Sequence, residues 1–131
     1  MKNTINSAIV KRFKRLLPTY ELTFHYQDGV IRKSFGPKIA RLCAEIKRTG
    51  TMGAAGEAIG MSRTATINAF AAAESELGFR LLERHPATGC TLTPEGERLL
   101  NTYAKVTNEL DECFYAIFSD AIEGGKDERA S

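Results

Sequence analysis

A chain of 131 residues, 43% hydrophobic and 26% charged, has the length and composition of one small globular domain with an extension or two. Its apolar runs are only a few residues long and its N-terminus lacks the apolar core of a signal peptide, so we expect a cytoplasmic protein with no membrane partner. The three cysteines, Cys43, Cys90 and Cys113, are odd in number and far apart, which favours unpaired thiols over a disulfide framework or a metal site.

The net charge of +2 is distributed unevenly along the chain. Residues 1–48 hold eleven Lys and Arg against three Asp and Glu, whereas residues 49–131 hold seven against thirteen. The two parts therefore carry charges of +8 and −6. A basic half beside an acidic half indicates a polyanion partner on one surface, and a solvated basic face is the alternative.

Residues 1–19 contain the first predicted element, a basic amphipathic helix. Apolar side chains recur at helical spacing between residues 5 and 17, four cations lie among them, and Pro18 ends the helix. Alternating apolar residues on either side of Asp28-Gly29, a favoured turn pair, then predict strands near 20–26 and 30–35. A small hairpin is therefore expected before the next helix.

Each of the next three predicted helices begins at a residue that favours a helix start. Proline fits the first helical position, and threonine or serine can cap the first turn through the side-chain oxygen. Those residues and their helices are Pro37 (37–49), Thr51 (about 52–59) and Ser62 (63–77). Gly60 allows a tight turn, and the small residues Ala55 and Gly56 let the second and third helices cross closely, as in a helix-turn-helix.

Residues 79–92 predict a short hairpin, with FRLLER as one arm, HPATGC as the turn and TL as the return. Thr93-Pro94-Glu95 combines a cap, a first-turn proline and an acid, and so starts a helix over 94–120. The polar residues 121–131 are expected to be disordered. This order predicts a mainly α fold with small β-hairpins, in which a winged helix-turn-helix domain over 20–93 precedes a long C-terminal helix.

Several of these motifs resemble a known family. Ala54-Ala55 before Gly60-Met61-Ser62, the pattern Glu-Leu-Gly-x-x-Leu-x-Glu-Arg over 76–84, and Leu-Thr-x-x-Gly over 92–96 resemble the winged helix-turn-helix of LysR-type regulators. The upstream hairpin and Gly36-Pro37 are similar to ModE-type molybdate regulators, especially their stand-alone DNA-binding versions. The resemblance implies a bacterial transcriptional regulator that binds double-stranded DNA. Because the chain ends after its long helix, we expect neither a sensor domain nor a cofactor.

The second helix of a helix-turn-helix enters the major groove with its N-terminal residues nearest the bases. Its candidate DNA-contacting positions, with the cap, are Ser62, Arg63, Thr64, Ile67 and Asn68. Arg63 can pair with guanine and Asn68 with adenine through two hydrogen bonds each, whereas Thr64 and Ile67 can touch a thymine methyl group. Thr64 can alternatively reach a phosphate, and Ser62 can offer one a hydroxyl.

Further phosphate contacts are predicted outside this helix. Arg84 and His85 in the wing, and Lys38 or Lys47 on the preceding helix, are the candidates. An ordinary surface charge is the alternative for each.

The long helix carries apolar residues at alternating steps of four and three, a heptad seam that begins at Leu99. The resemblance implies that this helix forms a homodimer, and packing against the helix over 5–17 of the same chain is the alternative. The predicted dimerisation residues are Tyr103, Val106, Leu110, Phe114 and Ile117.

Other classes of function receive less support from the sequence. The only histidines are His25 and His85, and no catalytic or metal-ligand set is indicated, so we predict that the chain is not an enzyme. The main alternative is a winged-helix adaptor that binds protein, since its outward helix face is rich in alanine. A regulatory protein partner is also a candidate means of control.

Overall fold

The computed structural model describes residues 7–28 and 34–124. Its elements are α1 (Ser7–Phe13), α2 (Pro37–Thr49), α3 (Met52–Ala58), α4 (Arg63–Leu77), β1 (Leu82–His85), β2 (Gly89–Leu92) and α5 (Pro94–Ile122). They divide between two compact units. The core unit is residues 21–106, and the terminal unit joins the residues up to Tyr20 with those from Thr107 onward.

The predicted helix starts of the core unit are confirmed. Pro37 is the first residue of α2, where its missing N–H costs nothing. The Oγ1 atom of Thr51 accepts a hydrogen bond from the Ala54 N–H at 3.1 Å, and Ser62 Oγ accepts one from the Ala65 N–H at the same distance. These side chains satisfy backbone donors that the first turns of α3 and α4 leave unpaired.

The close crossing of α3 and α4 depends on Gly56. A Cβ at this position would lie 2.1 Å from Thr66 Oγ1 and 2.9 Å from the Met61 carbonyl oxygen. Ala55 and Thr66 are buried beside it, and the Thr66 hydroxyl donates to the Ser62 carbonyl at 2.8 Å. The small residues before the turn therefore permit the contact that the sequence predicts.

The core unit has a single hydrophobic core beneath these helices. Its largest fully buried side chains include Phe35, Phe70, Leu42, Ile46, Leu81 and Leu82. Because both strands and three helices contribute, the core holds α4 and the wing in one rigid arrangement.

The wing differs from the prediction in its register. β1 and β2 pair antiparallel with Leu82 opposite Leu92 and His85 opposite Gly89, so the turn is residues 86–88 rather than 85–90. The Cys90 N–H donates to the Gly50 carbonyl at 2.8 Å. Gly89 has φ 111°, and a Cβ there would lie 2.1 Å from that same oxygen, so contact with the end of α2 requires glycine and extends the return strand.

The two strands predicted near 20–26 and 30–35 are not seen as strands in the described residues. Phe24 and Phe35 form one isolated antiparallel bridge, with N–H to carbonyl distances of 2.8 and 3.2 Å. Residues 29–33 lie outside the described residues. The bridge lies where the Phe24 and Phe35 rings stack, at 6.2 Å between centroids.

The terminal unit contains α1 and the second half of α5. α1 ends at Phe13, four residues before the predicted end at 17, because the chain tightens into turns in which Arg15 N–H bonds Arg12 O and Leu16 N–H bonds Phe13 O. Residues 5 and 6 of that predicted helix lie outside the described residues. α5 continues through Ile122, slightly beyond the predicted 120, and residues 125–131 of the predicted tail also lie outside.

No helix within residues 7–28 and 34–124 is long and apolar enough to cross a bilayer. Those residues also contain no group of three or more His, Cys, Asp or Glu side chains placed to hold a metal ion.

Candidate nucleic-acid interface

The N-terminal turns of α4 present a short polar edge. Ser62, Arg63, Thr64 and Asn68 are all exposed. Ser62 Oγ is occupied as an acceptor by the helix cap, which leaves its hydroxyl hydrogen available to a ligand. Thr64 and Asn68 are four residues apart and therefore adjoin on one side of the helix.

Arg63 has free space around it and forms no ion pair with another described residue. Its side chain passes over α3, where its Cδ would be 3.9 Å from a Cβ on Gly53. No carboxylate of the described residues lies within salt-bridge distance of its guanidinium. All five donors are therefore available to an external acceptor.

Ile67 is half-buried and packs partly against the hydrophobic core, so less of its side chain is exposed than for its polar neighbours. The 100° step between residues places it near the boundary between the two faces of α4, and the apolar core draws it inward. The exposed residues of α4 beyond the polar edge are Ala71, Ala72, Ser75 and Glu76.

The wing adds one cation and one tethered histidine. Arg84 and His85 are both exposed on β1. His85 Nε2 is 2.8 Å from Thr91 Oγ1, which holds the ring against the hairpin. Burial raises the pKa of the adjacent Cys90 thiol, and the positive charge of Arg84 lowers it in part.

The two candidate lysines of α2 differ. Lys38 is exposed in the first turn and forms no ion pair with another described residue. Lys47 Nζ lies 2.6 Å from Glu97 Oε2, so this cation is already paired with a carboxylate of α5. The structure thus favours Lys38 over Lys47 as an anion contact.

The sequence comparison identifies the family of this segment. Residues 38–97 match the family described as bacterial regulatory helix-turn-helix protein, lysR family. The matched segment is a helix-turn-helix of the LysR type. No curated protein sequence matches the chain.

Solved structures agree on the fold. The CbnR DNA-binding domain in complex with DNA is 23% identical, with a TM-score of 0.54, and the match covers 63% of this chain and 93% of that one. The BenM DNA-binding domain with benA site 1 DNA is 21% identical, with a TM-score of 0.53, covering 63% and 91%. For CbnR itself, a LysR family transcriptional regulator, the TM-score is 0.53 at 23% identity, and the chain spans only 28% of that protein. The winged-helix fold is thereby confirmed, while the similarity to ModE remains a prediction.

The LysR-type domain also uses an acid that the sequence analysis did not single out. Glu74 Oε2 accepts hydrogen bonds from the Leu81 N–H at 2.7 Å and the Leu82 N–H at 3.1 Å. The carboxylate thereby fixes the start of the wing relative to α4. An acid in the last turn of a helix, where the macrodipole disfavours negative charge, is the signal that could have indicated a structural role.

The predicted dimerisation residues fall into two groups. Tyr103 lies in the core unit, where its hydroxyl donates to the Leu22 carbonyl at 2.8 Å and its ring meets Phe24 and Phe35 at 5.4 and 5.6 Å. Burial raises the pKa of this phenol, with the charge of Glu21 adding to the effect. Tyr103 is thus committed to intrachain packing, and Val106 beside it is half-buried.

The other group lies in the terminal unit and is more open. Leu110 is 42% exposed and Ile117 is 62% exposed, whereas Phe114 is half-buried. Phe13 and Leu16, from the stretch that the alternative prediction packs against the long helix, line a groove with Phe118 of α5.

Proposed function

We propose that this protein is a homodimeric transcriptional regulator that binds double-stranded DNA in a sequence-specific manner through α4. The observation that carries the proposal is the exposed polar edge of α4, with Arg63 unpaired, on a LysR-type helix-turn-helix. Two solved structures with the same fold are complexes of DNA-binding domains with DNA, which supports the same use here.

In this proposal Arg63 and Asn68 read bases in the major groove. Arg63 donates two hydrogen bonds to the O6 and N7 atoms of guanine, and Asn68 pairs with adenine. Thr64 touches a thymine methyl group or a phosphate. Two such contacts per protomer, at roughly 1–3 kcal/mol each, give modest direct discrimination.

Affinity then comes largely from the phosphate backbone. Ser62 at the start of α4, Lys38 on α2 and Arg84 in the wing are the proposed contacts, with His85 as a further donor when its ring is turned outward. Because each neutralised phosphate releases counterions, binding should weaken steeply as the salt concentration rises.

The dimer is proposed to form through the terminal unit. A dimer offers two α4 helices to successive major grooves about one turn of DNA apart, roughly 34 Å, on a pseudo-palindromic site. Leu110→Glu should weaken the dimer at micromolar concentration without unfolding the core unit, since Leu110 lies outside that unit and is 42% exposed. Light scattering that gives a monomer mass for the unmodified protein would contradict the dimer.

Capture of sheared genomic DNA at near-physiological salt, followed by sequencing, tests the central claim. We expect one enriched pseudo-palindromic motif. Arg63→Ala should then weaken binding to that motif by about 10-fold or more while changing nonspecific binding little, because it removes base contacts of about 1–3 kcal/mol in each protomer. Arg98→Ala is the matched control, an exposed arginine on α5 of the same unit. An equal loss on all sequences would make Arg63 a phosphate contact.

The wing is tested by its salt dependence. Arg84→Ala should weaken binding to every duplex and reduce the slope of log K against log salt by about one per protomer. An unchanged slope would remove Arg84 from the interface.

A protein-binding adaptor is the second candidate, and the exposed Ala71 and Ala72 on α4 favour it. Small apolar side chains suit a protein surface as well as a groove. Absence of DNA capture at low salt, with a folded and dimeric protein, would support this reading.

A further inference from the structure

The exposed apolar surface of the described residues is concentrated in the terminal unit. Seven of the eight large hydrophobic residues with substantial exposure belong to it, and only Tyr26 lies in the core unit. The seven are Ile9, Leu16, Leu17, Tyr20, Leu110, Tyr115 and Ile117. A concentration of this kind marks an interaction surface, whereas scattered exposed hydrophobics do not.

One part of this surface is a groove on α5. It has a volume of about 330 Å³ and is lined almost wholly by apolar surface. Its lining residues are Tyr20, Leu110, Cys113, Phe114 and Ile117. The Tyr20 ring meets Phe114 edge to face at 5.0 Å, and its hydroxyl donates to Asp111 at 2.7 Å, so one wall of the groove is held in place.

The second part is the basic segment, residues 9–17. Its four cations are Lys11, Arg12, Lys14 and Arg15, and no carboxylate of the described residues lies within salt-bridge distance of any of them. Its apolar residues pack against their own α5 on one side, yet Leu16 remains 54% exposed and Leu17 75% exposed. The segment therefore still carries both charge and apolar surface for a partner.

The charge of α5 in this unit is opposite. Residues 107–124 contain five acids and no Lys or Arg. Asp120 follows Ile117 by three positions and Cys113 by seven, and Glu109 precedes Cys113 by four, so both carboxylates adjoin the groove. An apolar groove edged by carboxylates fits an apolar segment that carries cations.

We propose that the groove is occupied by the basic segment of a second copy of this chain, so that each copy covers the groove of the other. Both complementary surfaces occur in one terminal unit, and a two-fold axis lets them meet twice. This inference rests on the homodimer proposed above and deepens it by assigning the contact that holds the dimer.

Charge also decides between this arrangement and direct pairing of the two α5 helices. Two helices that paired with each other along residues 107–124 would bring acid against acid, and like charges oppose association. Seating a basic segment on each helix replaces that repulsion with attraction. The dimer should accordingly weaken as salt rises, unlike one held by apolar contacts alone.

Charge reversal in DNA-free protein tests the inference by sedimentation equilibrium. Arg12→Glu with Arg15→Glu should raise the dimer Kd about tenfold or more, since each pair is broken twice in a symmetric interface. Glu109→Lys with Asp120→Lys should do the same, and the four reversals together should restore much of the affinity. Arg41→Glu with Arg98→Glu is the control, with the same change of net charge on exposed residues of the core unit.

Each outcome separates this inference from the proposed function. Restoration by the combined variant supports the contact. A dimer that ignores all reversals overturns the contact and leaves the homodimer and the DNA site standing, whereas a monomeric wild-type protein overturns both contact and dimer. If the Arg12 and Arg15 reversals reduced DNA affinity but not dimerisation, the basic segment would be a DNA contact and the inference would fail. Thermal unfolding of each variant confirms that it is folded.

Discussion

The two units of this chain differ in how far their helices bury the apolar residues that recur at helical spacing. In the core unit the largest apolar residues along one face of α2 and of α4, such as Leu42, Ile46 and Phe70, are buried. Every buried residue among those described lies between Ser34 and Gly96. In the terminal unit no described residue is buried, although its stretch of α5 has apolar residues at regular helical spacing. The core unit is therefore stabilised by its own packing, and the terminal unit exposes surface that a partner can bury.

The contrast extends to charge. Three ion pairs lie within the core unit and join Lys47 with Glu97, Arg48 with Glu45 and Arg80 with Glu74. In the terminal unit the four cations of the basic segment form no such pair with another described residue, and the facing charge on α5 is acidic. Incomplete burial together with these charges distinguishes a surface built for association from one built for folding.

The largest expected effect tests the self-contained core. Phe70 is 1% exposed, so Phe70→Ala should lower the free energy of unfolding by about 3–5 kcal/mol through lost burial and a cavity. Denaturant unfolding followed by circular dichroism measures it. Ile117→Ala is the matched truncation in the terminal unit and should cost under about 1 kcal/mol in the monomer, because that side chain is mostly exposed. Similar losses would show that the two units do not differ as described.

The next effect tests the helix crossing with two glycines of the same short helix. Gly56→Ala should destabilise the fold by about 1–3 kcal/mol, since its Cβ would meet Thr66 and the Met61 carbonyl. Gly53→Ala should be neutral or stabilise by about 0.5 kcal/mol, because the nearest atom is 3.9 Å away and alanine favours a helix. The urea unfolding midpoints of the two variants measure this difference. Equal shifts in both midpoints would contradict the close helix crossing at Gly56.

A smaller effect tests burial through the thiols. Cys113 is exposed while Cys43 and Cys90 are buried, so one thiol per chain should react rapidly with a thiol reagent in native protein and three should react after unfolding. Cys113→Ser is the control and should abolish the fast phase. Slow labelling of Cys113 that becomes fast on dilution would further indicate that the groove is covered in a dimer.

The pH dependence of stability follows from Cys43. Burial raises the pKa of this thiol from 9.0 to about 12, with the charge of Glu74 adding to the rise. Because the folded pKa is the higher one, this contribution is complete below about pH 9 and is lost as the pH rises toward 12. Cys43→Ala should flatten the alkaline decline in the free energy of unfolding, and an unchanged slope would contradict the assignment.

Local features of the fold could be predicted well from the sequence. The helix starts at Pro37, Thr51 and Ser62 each depend on one residue and the few that follow it. They could therefore be predicted from a short stretch of sequence, and the structure confirms them. The requirement for small residues at the helix crossing was also local. Family motifs then identified the winged-helix domain, and the same motifs indicated which helix carries the candidate DNA contacts.

Features that depend on distant partners could not be predicted in this way. The wing turn is shorter than expected because Gly89 and Cys90 pack against Gly50, a residue nearly forty positions earlier. Lys47 is paired by Glu97, and Tyr103 is held by Leu22 and two phenylalanine rings. Each of these contacts joins residues that no short window of sequence brings together.

The sequence by itself determined the helices, their caps and turns, and the LysR-type domain, because hydrogen bonding and steric preference act over a few residues. Only the tertiary structure decided which apolar stripe is covered. α4 lies over a core closed by α2, α3 and the wing, whereas Leu110 and Ile117 of α5 remain 42% and 62% exposed among the described residues. Apolar residues at helical spacing predict that one face of a helix is buried. Whether another element of the same chain covers that face depends on how the elements are arranged in space.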